Sequence, residues 1–366
     1  MATAPSLITE EGLRVYLNAH SVEYTDVKLL TGGTANYVYR VTLTDGPPVI
    51  YKHAAPYLSS NTSFAFDHAR MDYEDSALEI LTHMLAEALP ESNVHAVGWY
   101  SYDREQKLLC IEDGGDRDLK HAYPDYKLDI LEIGKDIGEW IATLHLTSTR
   151  TSLSLTDEQD LKANNPIAVN IYRHSYHNLH LAFSEYNHDV KFAEYINEEF
   201  GSRLQAENEC VCHGDFWPGN VLVKPKDRET SATLTVVDWE MTRRGNSATD
   251  VGQFACEAFL LDRFRGGRGL RRAFLSSYVD VRERKAIKGK SEIGREWVRR
   301  MAVHWAVHVA YWPTRVEWTD REGTQKLVDL GVEVMKAAVD GNWEALKSSE
   351  LFKDVAEVWS GVWERI

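Results

Sequence analysis

The chain has 366 residues, enough for one very large domain or two of ordinary size, and its 43% hydrophobic and 11% aromatic content can supply a packed core. Its 56 acidic and 41 basic residues give a formal net charge of −15, which disfavours nucleic acid or an anionic membrane as the principal partner. No apolar run approaches the ~18 residues of a membrane span and the N-terminus lacks the pattern of a secretory signal, so we expect a cytoplasmic protein.

The first 112 residues have the pattern of a small β-rich unit. We expect an amphipathic helix over 6–20, a loop over 56–66 and a second helix from about Phe66 to Leu89. Five strands are predicted, the first three of them antiparallel and in a row: 27–30, 37–43, 49–52, 94–100 and 107–111.

Beyond residue 112 the sequence becomes mainly helical. A 3.6-residue apolar period predicts a helix over about 127–147, another is expected near 180–205, and helices fill the remainder after a β pair around 210–238. This order predicts an α+β, two-lobed protein-kinase-like fold. Its parts would be a nucleotide-binding lobe (1–112), a hinge (113–118) and a helical lobe with the catalytic loop and acceptor site (119–366).

One pattern in the second lobe carries most of the chemistry. His213-Gly214-Asp215 ends an apolar run, Asn220 follows five residues later, and a further apolar strand ends in Asp238. Asp215 can take the proton of an attacking hydroxyl, while Asn220 and Asp238 offer the oxygen ligands that Mg²⁺ prefers. A single Asp in a turn is usually a structural cap, but the ordered set favours phosphoryl transfer.

A lysine in the first lobe is the candidate phosphate ligand. Lys52 follows three apolar residues in a strand, where an inward-pointing ammonium group needs a partner. A nucleotide phosphate and a helical acid would both serve. Glu74 is the favoured acid, and Asp72, Asp75 and Glu79 are alternatives on the same helix.

Two glycine-containing segments are candidates for nucleotide binding. The turn Gly32-Gly33-Thr34-Ala35-Asn36 joins two strands and could cover phosphates with its backbone N–H groups, although alone it is an ordinary turn. Gly289-Lys290-Ser291 lacks the first glycine of a P-loop, because Arg284 occupies that position, and we reject it. Cys210 and Cys212, two of only four cysteines, alternate with apolar residues and are expected to pack in the core.

These motifs resemble the aminoglycoside phosphotransferase and choline kinase family. The resemblance rests on His213-Gly214-Asp215-x4-Asn220 with Val237-Asp238-Trp239-Glu240, and it covers about residues 25 to 260. Two stretches are similar to methylthioribose kinase: residues 33–41 with 52–57, and residues 245–254. Asn220 and Asn246 depart from that subgroup's usual residues, which weakens the transfer of its substrate.

The resemblance implies ATP and Mg²⁺ as cofactors, with Asp215 as base and Asn220 and Asp238 as metal ligands. Lys52 would bind the α- and β-phosphates and Glu74 would hold Lys52. Adenine would meet the backbone from Cys110 through Glu112 to Asp113, and Asp250 would brace the catalytic loop.

The acceptor is the least readable part of the sequence. We expect a small molecule with a hydroxyl group, such as a sugar or an amino alcohol. An antibiotic phosphotransferase and a nucleotide-binding pseudokinase scaffold stay open as alternatives, as does a homodimer. Aromatic and histidine residues over 297–312 favour core packing, with an acceptor wall as the alternative. Arg243 and Arg244 are expected to pair with surface acids or, less favoured, with an anionic substrate.

Overall fold

The computed structural model describes residues 6–226, 232–285 and 293–366. A small lobe built around a five-stranded antiparallel sheet precedes a larger, mainly helical lobe. The strands are β1 (Tyr24–Leu30), β2 (Tyr37–Leu43), β3 (Val49–His53), β4 (Tyr57–Leu58), β5 (Asn61–Ala65), β6 (Val94–Ala96), β7 (Trp99–Asp103), β8 (Leu108–Glu112), β9 (Cys210–Cys212), β10 (Val221–Pro225), β11 (Ala232–Val236) and β12 (Arg243–Gly245). The helices are α1 (Glu10–Ala19), α2 (Arg70–Ala88), α3 (Leu119–Ala122), α4 (Ile130–Thr147), α5 (Pro166–Tyr172), α6 (His174–His177), α7 (Leu179–Glu185), α8 (Val190–Ile196), α9 (Ser247–Arg265), α10 (Leu270–Lys285), α11 (Arg295–Tyr311), α12 (Arg321–Asp340), α13 (Trp343–Lys347) and α14 (Ser360–Trp363).

The sheet of the small lobe has the order β1-β2-β3-β8-β7, and all its neighbouring strands are antiparallel. This confirms the predicted row of three antiparallel strands. Helix α1 is capped by Thr9, whose side chain accepts a hydrogen bond from Gly12 N, and it buries Leu13 and Leu17 in the cluster on the outer face of the sheet. The inner face is left for α2 and the cleft between the lobes.

Two predictions for this lobe are wrong. Residues 56–66 are not a loop throughout, because β4 and β5 form a hairpin. Strand β5 is exposed along its whole length, so no apolar alternation marks it in the sequence. The predicted strand over 94–100 is two strands in different sheets: β7 joins the small-lobe sheet, whereas β6 pairs in parallel with β11 of the large lobe.

Helix α9 lies at the centre of the large lobe. Its residues 247–261 are buried without interruption, and α10 and α11 pack against it. Helix α4 can approach α10 closely at Gly138 because glycine has no Cβ. An added Cβ there would lie 2.5 Å from the Phe274 carbonyl oxygen. The helix predicted over 127–147 is confirmed as α4, which Asp129 caps.

The helix predicted near 180–205 is instead divided into α7, α8 and short helical turns. Asn187 adopts a left-handed φ of 59° and Asp189 caps α8, so the chain stops and restarts there. All four cysteines are free and buried, as expected of core residues. The rejected P-loop candidate, 289–291, lies outside the described residues. Within the described ranges, no helix has the length and apolar character needed to cross a bilayer.

Candidate active site

A cleft of about 1520 Å³ contains the predicted catalytic set. Side chains from both lobes line it, including Lys52 and Glu74 from the small lobe and Asp215, Asn220 and Asp238 from the large lobe. The structure therefore brings these five residues together, although their sequence positions span 186 residues.

The predicted catalytic loop is held in a conformation that requires glycine. Gly214 has a φ of 85°, and an added Cβ would lie 1.8 Å from the carbonyl oxygen of Met241. The carboxylate of Asp250 accepts hydrogen bonds from His213 N (2.8 Å) and Gly214 N (3.1 Å), which is the predicted brace. Burial alone would raise the pKa of Asp250, but the hydrogen bond and charge of His145, together with the charges of Arg243 and His213, lower that pKa below its usual value.

Two side-chain amides orient the Asp215 carboxylate. Asn220 Nδ2 donates to Oδ2 at 3.0 Å, and Gln253 Nε2 donates to Oδ1 at 2.8 Å. Burial, with the nearby negative charge of Asp238, raises the pKa of Asp215 to about 7, while the two amide donors oppose that rise. A carboxyl group with this pKa suits proton exchange near neutral pH.

Lys52 joins the two lobes through acidic partners. Its Nζ lies 2.8 Å from Glu74 Oε2, and it also makes an ion pair with Asp238. Burial would lower the pKa of Lys52, but the charges of Asp238 and Glu74 outweigh burial and raise it. The ammonium group is therefore fully charged and held at the cleft.

Asp238 has an unusual backbone conformation. Its φ of 68° and ψ of 63° place a non-glycine residue in the left-handed region, at a cost of about 1 kcal/mol. Trp239 N donates to Glu74 Oε1 at 3.1 Å, which fixes the segment just after Asp238. This strained residue lies where its carboxylate meets Lys52, as is common for functional sites.

Asn220 and Asp238 have the donor atoms to hold a divalent metal ion. Asn220 Nδ2 is engaged by the backbone oxygen and the carboxylate of Asp215, and within the described part of the chain no hydrogen bond engages its Oδ1. The Asp238 side chain is 37% exposed despite its ion pair. An amide oxygen and a carboxylate are ligands suited to Mg²⁺.

The turn between β1 and β2 has free space around its first residues and hydrogen bonds at its later ones. Gly32 has a φ of 117°, and a Cβ on Gly32 or Gly33 would meet nothing within 4 Å. The Thr34 carbonyl accepts hydrogen bonds from Ser60 of the β4–β5 hairpin, and Gly33 and Thr34 line the cleft. The start of the turn is open and its end is held.

Asn36, the last candidate of that turn, is buried in a polar cluster. Its Nδ2 donates to Glu240 Oε2 (2.7 Å) and its Oδ1 accepts from Arg70 (2.9 Å). Arg70 also donates to Glu240 at 3.1 Å. Asn36 lines the cleft, but its side-chain bonds attach the turn to α2 and to the segment after Asp238.

The three candidates near the hinge have different surroundings. The Cys110 side chain packs in the outer cluster of the small lobe, whereas Glu112 and Asp113 line the cleft. Glu112 accepts hydrogen bonds from His95 and from Gly98 N, and Asp113 pairs with Arg40 at 2.6 Å. These side chains have partners and Glu112 N donates to Gly98 O at 2.8 Å, so a nucleotide base would have to meet backbone atoms of this segment outside the β8 ladder.

The aromatic residues of α11 are divided between the core and the cleft. Trp297, Met301 and Trp305 pack in the main core, as predicted. His304 and His308 lie on the same stripe but nearer the C-terminal end of α11, and they line the cleft with Trp312 and Tyr172, as in the alternative interpretation. We call these four cleft residues the aromatic wall.

The favoured interpretation of Arg243 and Arg244, pairing with surface acids, is wrong because neither arginine reaches the surface. Arg243 lies over the Tyr172 ring at 3.9 Å and donates to Thr249, and Arg244 donates to backbone carbonyls such as that of Thr149. Both side chains are buried.

Gln253 is a site residue that the sequence analysis missed. A signal was available, since Asp250, Gln253 and Glu257 place polar side chains at helical spacing on the otherwise apolar α9. The Glu257 Oε1 atom lies 3.1 Å from His308 Nε2, within hydrogen-bond distance. A polar stripe on a buried helix indicates a site.

Comparison with known proteins gives a family and a fold. The family model described as "Phosphotransferase enzyme family" matches residues 26–287. A 4-hydroxytryptamine kinase of Psilocybe cyanescens is 28% identical over 373 residues, covering 96% of this chain and 98% of the relative. The corresponding kinase of Psilocybe cubensis is 25% identical, with 95% and 98% covered.

Two solved structures share the fold. Choline kinase from Cryptosporidium parvum Iowa II has a TM-score of 0.50 at 14% identity, covering 90% of this chain and 93% of that one. The GDP complex of wild-type aminoglycoside 2'-phosphotransferase-IIIa has a TM-score of 0.51 at 13% identity, covering 91% and 99%. The predicted α+β, protein-kinase-like fold is confirmed.

Proposed function

The chain belongs to the phosphotransferase enzyme family, and we propose that it moves the γ-phosphoryl group of ATP to a hydroxyl group of an aromatic small molecule. The observation that carries this proposal is the aromatic wall at the end of the cleft that also contains Asp215. Phosphoryl transfer is achieved mainly by positioning and by electrostatic stabilisation, and the cleft offers groups for both.

Asp215 would act as the base. The oxygen of the acceptor hydroxyl forms a bond to the γ-phosphorus, the bond from that phosphorus to the β,γ-bridging oxygen breaks, and ADP leaves with the electron pair. The hydroxyl proton passes to the Asp215 carboxylate. A pKa of about 7 supports this role, because the carboxylate is ionised in part near neutral pH and accepts a proton readily.

The remaining candidates would hold the nucleotide and its metal. Asn220 Oδ1 and the Asp238 carboxylate would bind Mg²⁺, which neutralises charge on the phosphates when bound. Lys52, held by Glu74, would contact the α- and β-phosphates. The turn from Gly32 and Gly33, which are open, to Thr34, which Ser60 holds, would approach the phosphates through backbone N–H groups.

An aromatic acceptor is favoured over a sugar or a polycation. Trp312 offers a flat apolar surface, and Tyr172, His304 and His308 add rings with polar edges. Among the described cleft residues next to Tyr172 in the chain and on the neighbouring turn, the charged side chains are one acid, Glu198, and one base, Arg173, a balance that does not favour a polycation there. Both fungal relatives are 4-hydroxytryptamine kinases and match nearly the full chain, which supports a hydroxyl group on an aromatic ring.

A substrate panel tests this proposal. 4-Hydroxytryptamine, choline, a methylthio sugar and kanamycin are each incubated with ATP and Mg²⁺, and ADP release is measured against an Asp215→Asn blank. We expect acceptor-dependent release with the hydroxyindole and its loss, by about 100-fold or more, in Asp215→Asn. Calorimetry should show that this variant still binds ATP. Full activity of Asp215→Asn, or a preference for kanamycin, would contradict the proposal.

A further inference from the structure

A continuous line of hydrogen bonds leads away from the base into the large lobe. Gln253 Nε2 donates to Asp215 Oδ1 at 2.8 Å, and Gln253 Oε1 accepts from the Tyr172 hydroxyl at 3.2 Å. Gln253 is 5% exposed, so this amide bridges the two groups away from bulk water.

The line continues through a buried histidine. His304 Nε2 lies 2.8 Å from the Tyr172 hydroxyl oxygen, and His304 Nδ1 lies 2.9 Å from the hydroxyl of Tyr176. The Tyr176 oxygen also accepts from Arg300 Nη1 at 3.3 Å. Arg300 is held in turn by Glu207, whose Oε2 lies 3.0 Å from Nη2.

The chemistry of the end groups fixes the direction of every bond. In the ionised form that the role of base requires, the Asp215 carboxylate only accepts, so Gln253 turns its NH₂ toward Asp215 and its oxygen toward Tyr172, which must donate. The Tyr172 oxygen can then only accept, so His304 donates from Nε2. Burial, with the charge of Arg300, lowers the pKa of His304 well below its usual value, so the ring is neutral. Its Nδ1 therefore accepts from Tyr176, whose oxygen accepts from the guanidinium group.

We propose that Gln253 is a positioning residue for Asp215, and that its amide orientation is set by the chain Arg300–Tyr176–His304–Tyr172. The inference rests on the proposed function, in which Asp215 is the base. Gln253 touches the base and not the transferred group, so it acts by fixing the carboxylate.

This arrangement has a consequence for the attack. With Oδ1 bound by Gln253 and Oδ2 by Asn220, the carboxylate cannot rotate freely, and its remaining lone pairs are held in one direction. Tyr172 and His304 belong to the aromatic wall, so the same rings that would contact an acceptor also determine the orientation of the base. Acceptor binding and base positioning thereby share two side chains.

The proton positions can be measured without any substrate. Long-range ¹H–¹⁵N correlation spectra of the full chain distinguish the two neutral tautomers of each histidine, and a His304→Gln spectrum assigns the signal. We expect His304 to carry its proton on Nε2. A proton on Nδ1, or a charged ring at neutral pH, would overturn the proposed direction of the chain.

Kinetics of matched variants test the positioning role. Gln253→Met keeps the length of the side chain but removes the donor, and should lower kcat by about 10- to 100-fold with an unchanged KM for ATP. Tyr172→Phe removes the hydroxyl that orients Gln253 and should lower kcat by about threefold to tenfold. The control is Tyr123→Phe, which removes a buried tyrosine hydroxyl bound to Asp262 outside the cleft and should leave kcat unchanged.

The outcomes separate the two proposals. If Gln253→Met changes only the KM for the acceptor, Gln253 is a contact residue and the inference is wrong. If Gln253→Met lowers kcat but Tyr172→Phe behaves as Tyr123→Phe does, the chain does not orient the amide. If the native chain shows no acceptor-dependent ADP release at all, the proposed function fails, and the His304 tautomer still decides whether the chain has the proposed direction.

Discussion

Lys52 Nζ lies 2.8 Å from Glu74 Oε2, and this contact joins β3 of the small-lobe sheet to α2. Both side chains are buried, so each charge depends on the other for compensation. Because Lys52 also pairs with Asp238, the same ammonium group connects the two lobes at the cleft.

Lys52→Met should therefore affect both stability and nucleotide use. It leaves the buried Glu74 carboxylate without its partner and should lower the free energy of unfolding by about 3–5 kcal/mol. ATP affinity measured by calorimetry should also fall. Adding Glu74→Gln should recover much of the stability but not the ATP affinity, because the phosphate ligand is still missing.

A second lysine provides the control for this prediction. Lys107 pairs with Asp72 at 2.8 Å on the same helix, away from the catalytic carboxylates. Lys107→Met should cost less stability, since its side chain is 17% exposed, and should leave ATP affinity unchanged. Equal ATP affinities in the native chain and in Lys52→Met would exclude the assigned role of Lys52.

The pairing of Lys52 with Glu74 could be predicted from the sequence because each residue carries a local signal. A lysine within an apolar strand needs a partner, and a helix 22 residues later supplies acids. The choice of Glu74 over Asp72 also follows a physical cause: Glu74 lies on the buried face toward Lys52, while Asp72 is taken by Lys107. Element types were predictable for the same reason, since apolar periods of 2 and 3.6 residues mark them.

The rest of the site depends on contacts between distant segments. The polar stripe on α9 marks Gln253 as a site candidate, but nothing local marks Tyr172 as its partner, because 81 residues separate the two. The surface location predicted for Arg243 and Arg244 is wrong for a similar reason. Their sequence neighbourhood is polar, but buried backbone carbonyls and an aromatic ring replace solvent around them.

Gly214→Ala should inactivate the enzyme by displacing the catalytic loop. The left-handed φ costs an alanine about 1–2 kcal/mol, and the contact with the Met241 carbonyl adds a steric clash. We expect a fall in kcat of about 100-fold, since a displacement of the base by about 1 Å has an effect of that size. ADP release and thermal unfolding measure the two effects.

Gly46→Ala separates backbone strain from the clash. Gly46 has a φ of 100°, but a Cβ there would meet nothing within 4 Å, and the residue lies in the β2–β3 turn. This variant should lose about 1 kcal/mol of stability and keep full kcat. If both alanine variants keep full kcat, the close approach of Gly214 to Met241 is not needed for activity.

Asp250 should make the stability of the chain depend on pH in acid. Its folded-state pKa is lowered below the usual 3.8, so the carboxylate contributes stability that is present above about pH 4 and is lost as the pH falls through the folded-state pKa. Asp250→Asn should cost about 3 kcal/mol at pH 7, because two backbone donors and His145 lose a charged acceptor.

Denaturant unfolding at pH 7 and at pH 3 measures this dependence. The difference in stability between the native chain and Asp250→Asn should shrink at the lower pH. The exposed Asp45 of the β2–β3 turn supplies a control, since Asp45→Asn should have no such effect at either pH. A constant difference between the native chain and Asp250→Asn would contradict the assigned protonation behaviour.

Trp312→Leu should weaken acceptor binding more than catalysis. Trp312 closes the aromatic wall beside His308, and its ring centroid lies 5.9 Å from that imidazole. Loss of the ring removes a flat surface for an aromatic acceptor, so the KM for 4-hydroxytryptamine should rise about tenfold while the KM for ATP stays constant. Trp343→Leu is the matched control, because Trp343 is also half-buried but packs near Arg295 and Arg299, outside the cleft. If the acceptor KM rises equally in both tryptophan variants, the rise reflects a general loss of packing. If it rises only in Trp312→Leu, the aromatic ring of the acceptor lies against Trp312 in the cleft.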